Sequence, residues 1–532
     1  MVQSLATIGQ PWEHSAIDQA ASYYSNRLAK TLVNQSPQAK GIFEQWKREA
    51  VTSDYTSLDS QLEKNQELKD IVLSETPWVR AADRESEQKQ RLGDFFDENM
   101  IKNRLSTAIE KLKKLQNRDG SFSWYPGMIG STMVTVTIEE MLTRLQVMTG
   151  EQDEVAAMQT KAFNYMGKEM VDLVKEMKKR EKKGQKPVFP SFTALRWLYI
   201  CALDGRVLSS DVKSANDYLY KLLKKEIKRQ TIYEKALTAV ILSKRGDAKL
   251  AAQYVQSLKE WTVYTEEMGR YYDTPRAGYS WYDYKIPTEV AAIEAIQMVN
   301  PQDVQTVDEM RRWLLQEKRT QAWDTPINSV NAVYAFLYDG SPLSTNSPLA
   351  TLQVDGQLLE KPQATAAIGY VKSPVDAGSK TLIVEKTSEG TSWGAVYAQF
   401  MQPARDIRDT GSGLSVKREF SPLSTLKVGD RVKVRITIQA DRDYDFVQLI
   451  DRRAACLEPV RQLSGYHNGS YCTPRDNTTN YYFDRLSKGV HIIETEYYID
   501  RPGTYETGSC SVSCAYSPEF RGITKSLTIN VK

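Results

Sequence analysis

Apolar and polar positions change their rhythm once along this chain, near residue 340. Before that point apolar residues recur at three- and four-residue spacing. Each run opens on a polar residue and stops near Gly, Asp or Asn, as capped helices do. The runs are Ser191-FTALRWLYICALDG, Thr231-IYEKALTAVILSKRGD, Thr288-EVAAIEAIQMVN and Thr325-PINSVNAVYAFLYDG. The fullest version, Leu115 to Leu145, reads LQNRDGSFSWYPGMIGSTMVTVTIEEMLTRL. There Gly and Pro set a turn, large aromatics fill the space between helix ends, and Ser131 or Thr132 caps the next helix. The pattern predicts a repeat of helical hairpins. Ile17 to Val33 reads as an amphipathic opening helix, and Phe43 to Leu73 as further helix ending in capping signals around Ser74. Pro77 sits near another helix start, and Glu151 to Lys183 reads as a long polar helix packed on the outside.

DGSPLSTNSPLA, next in the chain, is a Ser/Pro/Asn linker. Beyond it LATLQVDGQLL, QATAAIGYV, KTLIVEKTS and WGAVYAQFMQ alternate apolar and polar residues, so Leu349 to Gln402 is a small β segment. Periodicity leaves open whether it completes a sheet begun before the helices. From 404 onward LSVKREF, DRVKVRITIQA, DFVQLIDRRAACLEP, TNYYFDRL, GVHIIETEYYID, GTYETGSCSVSCAY and KSLTINV predict an antiparallel sandwich. The expected fold is multidomain, α then β: an α/α toroid over 1–340, a β segment over 341–403 and a β-sandwich over 404–532.

Composition narrows the function. With 70 basic and 67 acidic residues among 532, the net charge of +3 gives no electrostatic case for nucleic acid. The basic run Lys175 to Lys186 reads as a solvated helix end entering a loop at Gly184. No apolar run approaches the roughly 20 residues of a membrane helix. The start, MVQSLATIGQPWEH, lacks the order of a signal peptide, so either the protein stays inside the cell or an export signal lies elsewhere. The cysteines favour export. Cys201 lies alone in an apolar helix as a small core residue. Cys456, Cys472, Cys510 and Cys514 cluster in the β-rich part and suggest two disulfides, with three pairings possible. Zinc is the competing reading, although Cys510-x-x-x-Cys514 is loose for a knuckle and no paired histidines accompany it.

A toroid can host an enzyme, so its carboxylates are candidate acids and bases. Asp119, Asp273, Asp283, Glu289 and Asp324 are available, but each stands where a turn or cap wants an acid. The three histidines, His14, His467 and His491, form no catalytic spacing. No HExxH, GxSxG or phosphate-binding glycine loop occurs. Cys201 is a poor nucleophile because an apolar setting raises its pKa. The aromatic turn from Tyr271, YYDTPRAGYSWYDYKIP, could stack on a sugar or peptide but more simply fills helix ends. Catalytic, cofactor and metal residues are therefore expected to be none.

Several stretches resemble a known family. LQNRDGSFSWYPG before a Ser/Thr-led helix, WLLQEKRTQAWDTPINSVNAVYAFL, and the order toroid, β fragment, sandwich are similar to the C-terminal part of bacterial alpha-2-macroglobulins. ETPWVRAADRE, DRDYDFVQLIDRRAACLEPVRQLSGY and CAYSPEF resemble the large envelope macroglobulins of Bacteroidetes. The resemblance implies a thioester-type toroid, the returning part of a CUB-like domain, and a terminal macroglobulin or receptor-binding-like domain. The family's reactive motif is C-x-E-Q at the start of the toroid. The matching place, Gly9 to Ala29, keeps Glu13 and Gln19 but has no cysteine, so no thioester forms there. The implied function is non-enzymatic: endopeptidase inhibition by non-covalent conformational trapping. Proteases are the implied partners, met through a bait region outside this chain, with other cell-envelope proteins possible. The implied location is the periplasm or cell surface, with an export or lipoprotein signal upstream. The rival readings are an envelope scaffold or adhesion protein, and a toroid enzyme acting on glycan or lipid.

Overall fold

The computed structural model describes residues 2–11, 14–35, 44, 77–78, 92–150, 153–224, 230–266, 268–277, 285–318, 323, 325–338, 350–359, 374–387, 396, 402–422 and 426–532. The chain divides into two compact units, Met1–Leu58 with Gln88–Trp393, and Asp59–Glu87 with Gly394–Lys532. The expected helix over Phe43 to Leu73, the acidic stretch at Glu85 and Glu87, the linker from Asp339, and the strands QATAAIGYV and WGAVYAQFMQ lie wholly or almost wholly outside the described residues.

In the first unit the helices are α1 (Val2–Ile8), α2 (Ala16–Gln35), α3 (Leu92–Phe95), α4 (Glu98–Leu115), α5 (Thr132–Thr149) and α6 (Asp153–Lys182). They continue as α7 (Phe192–Asp204), α8 (Ser210–Leu223), α9 (Ile232–Lys244), α10 (Ala248–Lys259), α11 (Lys285–Val299), α12 (Val304–Gln316) and α13 (Pro326–Leu337). They alternate between two environments. Long stretches of α5, α7, α9, α11 and α13 are buried residue after residue, whereas α4, α8, α10 and α12 bury one stripe. A helix apolar all round must lie inside, and one with a single stripe lies on the rim. Packing follows: α5 meets α7, α7 meets α9, α9 meets α11, α11 meets α13, and α2 packs on both α13 and α5, which closes a ring.

The inner helices begin where the polar residues place them. Ser131 accepts the Val134 amide, Ser191 the Ala194 amide and Thr325 the Asn328 amide; Thr231 and Glu234 form a reciprocal capping box. Such caps satisfy amides that the first turn leaves without partners, worth about 1 kcal/mol each. Ser131, rather than Thr132, is the cap of α5. Thr288 departs from its expected role. α11 starts earlier, at Lys285, and the Thr288 hydroxyl donates to the Ala277 carbonyl instead. Gly205 closes α7 in a left-handed conformation at φ 68°. Short strands β1 (Phe122–Ser123) with β2 (Gly130–Ser131), and β3 (Val263–Thr265) with β4 (Gly269–Tyr271), link helix ends. A three-stranded sheet follows, in the order β6 (Gln357–Leu358), β5 (Thr351–Val354), β7 (Leu382–Glu385).

The second unit is antiparallel β. Its strands are β8 (Thr410–Ser412), β9 (Leu414–Ser421), β10 (Arg431–Ala440), β11 (Tyr444–Arg452), β12 (Leu457–Pro459), β13 (Gly465–His467), β14 (Ser470–Pro474), β15 (Thr478–Leu486), β16 (Gly489–Ile499), β17 (Gly503–Glu506), β18 (Cys510–Cys514), β19 (Arg521–Ile523) and β20 (Thr528–Val531). Eleven of them bond in the order β12-β16-β10-β9-β8-β19-β18-β11-β15-β14-β13, while β17 pairs with β20. Along β10, Val432, Val434, Ile436 and Ile438 alternate inward with exposed Arg431, Lys433 and Arg435, as a strand with one buried face requires. The expected strands are present, but two long ones split. DFVQLIDRRAACLEP becomes β11 and β12, and GTYETGSCSVSCAY becomes β17 and β18. Trp78 also belongs to this unit. Its ring meets Phe446 and Tyr482 edge-on, and its indole N–H donates to Asp484 at 3.0 Å.

Candidate functional site

The start of α2 and the aromatic turn between α4 and α5 come together, at the place where the resemblance puts a reactive thioester. The Ala16 amide donates to the Trp124 carbonyl at 2.9 Å. Ser15 caps α2 by accepting the Asp18 amide at 3.1 Å, and its hydroxyl turns onto the Asp18 carboxylate. Ser22 and Asn26, one and two turns on, both donate to the Gly9 carbonyl, at 3.0 and 3.1 Å. Gln19 is buried in the same helix; Glu13 lies outside the described residues. No sulfur is among these groups, because all five cysteines of the chain are elsewhere.

The turn is built by short polar side chains. Asn117 donates to the Ser121 and Ser123 hydroxyls, and Phe122 N–H to Thr135 Oγ1. Asp119 accepts the Ser121 hydroxyl at 2.6 Å and its amide at 3.0 Å, bonds that hold its carboxyl below the usual range. That is a turn-forming role. Gly120, at φ 97°, passes so close to the backbone of Lys161 that a side chain has no room. The turn leaves Trp124, Tyr125, Met128, Ile129 and Met133 exposed, Ile129 at 91%.

A second cluster lies inside the ring, and the sequence reading missed it. Arg144 of α5 pairs with Glu140 at 3.0 Å and lies 3.6 Å from Glu294 of α11. It donates to Tyr199 Oη at 2.8 Å and to Asn331 Oδ1 at 2.5 Å, and its guanidinium stands over the rings of Tyr199 and Tyr334. Arg196 of α7 donates to Glu140 at 2.5 Å and to Thr137 at 2.9 Å. Tyr199 and Tyr334 both donate to Glu294, at 2.7 and 2.8 Å. Every member is buried. With water excluded and each charge met, the cluster ties four inner helices in one register rather than offering a proton to a substrate. The signal was present: Glu139-Glu140, Arg144, Arg196 and Glu294 interrupt otherwise apolar helices.

The expected acids do not converge. Asp119 forms its turn, Asp273 lies beyond β4, and Asp283 and Asp324 fall outside the described residues. Glu289 is buried in α11 with one carboxylate oxygen lacking a hydrogen bond; burial, then the charge of Glu317, raises its pKa well above the carboxylate range. Cys201 sits at the end of α7, its thiol pushed up to about 12 by burial. Among the described residues no three His, Cys, Asp or Glu gather as a metal site, and no helix is long and apolar enough to cross a membrane.

The β unit holds its four cysteines as separate thiols, against the expected pair of disulfides. Cys510 and Cys514 are the two ends of β18, about 13 Å apart along a strand. Cys472 of β14 is separated from β18 by β15 and β11, about 14 Å of sheet. A disulfide needs Cα atoms within about 7 Å. Each of the three pairings of two bonds requires either Cys510 with Cys514, or Cys472 with one of them. Two disulfides therefore do not fit this fold. Cys510 faces a different partner: its strand pairs with β11, where buried Asp451 receives a charge-assisted bond of 2.7 Å from Arg418 of β9.

Residues 406–519 match the family model of the bacterial alpha-2-macroglobulin MG10 domain. The β unit thus carries a domain of that type. No curated protein matches the chain. Among solved structures, the trypsin-activated alpha-2-macroglobulin of Escherichia coli is similar at 11% identity and a TM-score of 0.42, over 82% of this chain and 30% of that one. The same protein activated by porcine elastase is similar at 12% and 0.38, over 82% and 39%. Salmonella alpha-2-macroglobulin reacted with methylamine is similar at 13% and 0.32, over 92% and 31%. The chain therefore spans less than two fifths of the length of each of these relatives.

Proposed function

We propose that this chain is the thioester-free toroid and terminal region of a bacterial alpha-2-macroglobulin-like endopeptidase inhibitor, acting by non-covalent conformational trapping in the periplasm or at the cell surface. The observation that carries the reading is the MG10-type domain at 406–519, joined in one chain to a closed helical ring. The start of α2, where a thioester would stand, offers Ser15, Asp18 and Gln19 and no thiol. Capture of a protease then rests on enclosure: cleavage of a bait segment rearranges β-domains, and the ring moves as one body. The proposed domain division is the ring over 1–340, apart from the segment around Trp78 that packs with the β unit, a CUB-like return over 341–403 and the terminal domain from 404. The exposure of Leu382, Ile383 and Val384 on β7, at 42%, 53% and 58%, supports the middle segment as part of a larger sheet.

The test uses the protein purified from its own cells, incubated with trypsin. A trap leaves the protease active on a small chromogenic peptide and shields a large protein substrate, and denaturing electrophoresis separates protease from inhibitor. Unimpeded digestion of the large substrate overturns the reading, and so does a protease that stays attached after denaturation. Crosslinking in the envelope that recovers one constant non-protease partner favours the scaffold reading instead.

A further inference from the structure

β16 leaves much of one edge open. On one side it pairs with β10 in an unbroken register, from Gly489 opposite Ala440 to Tyr498 opposite Arg431. On the other side β12 covers only Tyr497 to Ile499, and the Val460 amide donates to the Glu496 carbonyl at 3.0 Å. Among the described residues no strand borders Gly489 to Thr495 on that side.

The register fixes which groups face this gap, because peptide groups alternate sides along a strand. Ile499 bonds toward β10, donating to the Asp430 carbonyl at 3.0 Å and accepting the Gly429 amide at 2.8 Å. Glu496, three residues earlier, bonds away from β10. With no bulge between, Val490, Ile492 and Glu494 turn both N–H and C=O into the gap. Among the described residues none of these six groups has a hydrogen bond. Their side chains share the exposed face, Val490 at 62% and Ile492 at 51%. Proteins blunt such edges with proline, a bulge or outlying charge. Here there is neither proline nor bulge. The Glu494 carboxylate leans on Lys433 at 3.2 Å and Arg435 at 4.0 Å of its own sheet.

We propose that this edge joins the same edge of a second copy of the chain, antiparallel about Ile492. The shape of the gap argues for that occupant. It runs from Gly489, whose φ of 132° turns the chain into the strand, to Thr495, and Ile492 is its middle residue. A two-fold pairing sets Ile492 against its own equivalent, and Val490 against Glu494 in both directions. Each hydrogen-bonded pair exchanges two bonds, so three pairs use all six groups of each copy. The second strand then starts and stops where the gap does, clear of Val460. A slip of one residue turns the second copy's groups away; a slip of two meets Val460 or leaves a pair unmade. No acid faces an acid. Val490 and Ile492 of one copy lie beside those of the other, and on the opposite face Ile493 lies diagonal to its equivalent.

Sedimentation velocity of the intact protein at up to about 100 μM is expected to show a reversible dimer, since so small an interface binds weakly. Hydrogen exchange read by mass spectrometry should show the amides from Val490 to Glu494 gaining protection as concentration rises. Ile492→Lys sets two ammonium groups face to face and is expected to raise the dissociation constant at least roughly tenfold. Val428→Lys, at another exposed position of the same unit, should leave it unchanged. A monomer at every concentration overturns the proposal. So does a dimer that resists Ile492→Lys, or one that forms without protecting this stretch. Protection in a particle that sediments as a monomer also overturns it, because another strand then covers the edge. Protease trapping enters none of these readouts, so each reading stands or falls by itself.

Discussion

Glu139 and Glu140 are consecutive residues of α5, both buried, and their carboxyl groups are driven in opposite directions. Glu140 meets two guanidinium groups: burial pushes its pKa up, but the charges of Arg196 and Arg144 and the bond from Arg196 outweigh that and hold it below the usual range. Glu139 lies about 100° away around the helix. Neither of its oxygens has a hydrogen bond, and burial keeps it protonated far above the usual range, with Arg206 only partly offsetting this and Asp204 adding to it.

The two residues should therefore give stability opposite pH dependences. The contribution of neutral Glu139 is full below its unfolded pKa of about 4.3 and is lost as pH rises through its raised folded value. Glu139→Gln is expected to flatten the decline in stability from mildly acidic to alkaline pH, read by urea unfolding at several pH values. The contribution of Glu140 is present above about 4.3 and lost as pH falls through its lowered folded value. Glu140→Gln is expected to remove that acid-side loss and to cost about 3 kcal/mol at neutral pH, because two buried guanidinium groups lose their counter-charge.

Arg144 is the member of the inner cluster whose loss should hurt most. Arg144→Met keeps much of the volume but leaves Glu294 buried with only tyrosine hydroxyls and takes one of the two cations from Glu140. An expected cost of about 3–5 kcal/mol would appear as a lowered midpoint of chemical unfolding. Glu294→Gln keeps an acceptor for Tyr199 and Tyr334 and should cost less. Equal costs for the two variants would refute the view that uncompensated charge dominates.

Trp78 should matter to the β unit although it stands far from it in sequence. Trp78→Ala removes a ring packed against Phe446 and Tyr482 and is expected to destabilise by about 3–5 kcal/mol. Trp78→Phe keeps an aromatic ring but loses the bond to Asp484, at a cost nearer 1 kcal/mol. Denaturation followed by near-ultraviolet circular dichroism distinguishes the two.

Thiol counting tests the strand geometry. In denaturant without reductant all five cysteines are expected to react with a thiol reagent, because each stands as a separate thiol in this fold. In the native protein reaction should be slow, since burial raises the thiols of Cys201 and Cys514, to about 12 and about 11. Recovery of a single thiol would show that the β strands pair differently.

Much of this architecture was readable from the residues because local signals and burial agree. Ser191, Thr231 and Thr325 cap the helices they seemed to cap, and the long apolar runs became the inner ring. What escaped depended on distant partners. Nothing near Trp78 indicates that its indole reaches a carboxylate 406 residues later. The charges of Glu140, Arg196 and Glu294 went unread, because only the ring brings them to one point. Thr288 misled for a similar reason: its hydroxyl suits a cap, but the Ala277 carbonyl competes for it. The short β13 and β14 carry too few residues for alternation to register.

The closing of the ring by α2 also constrains the order in which the molecule can be made. Hairpins such as α9 with α10 can form as soon as they leave the ribosome, but α2 must wait for α13, roughly three hundred residues later, before both its sides are covered. Until then its buried face, with Tyr23, Tyr24 and Leu28, is open on one flank and exposed to misassociation.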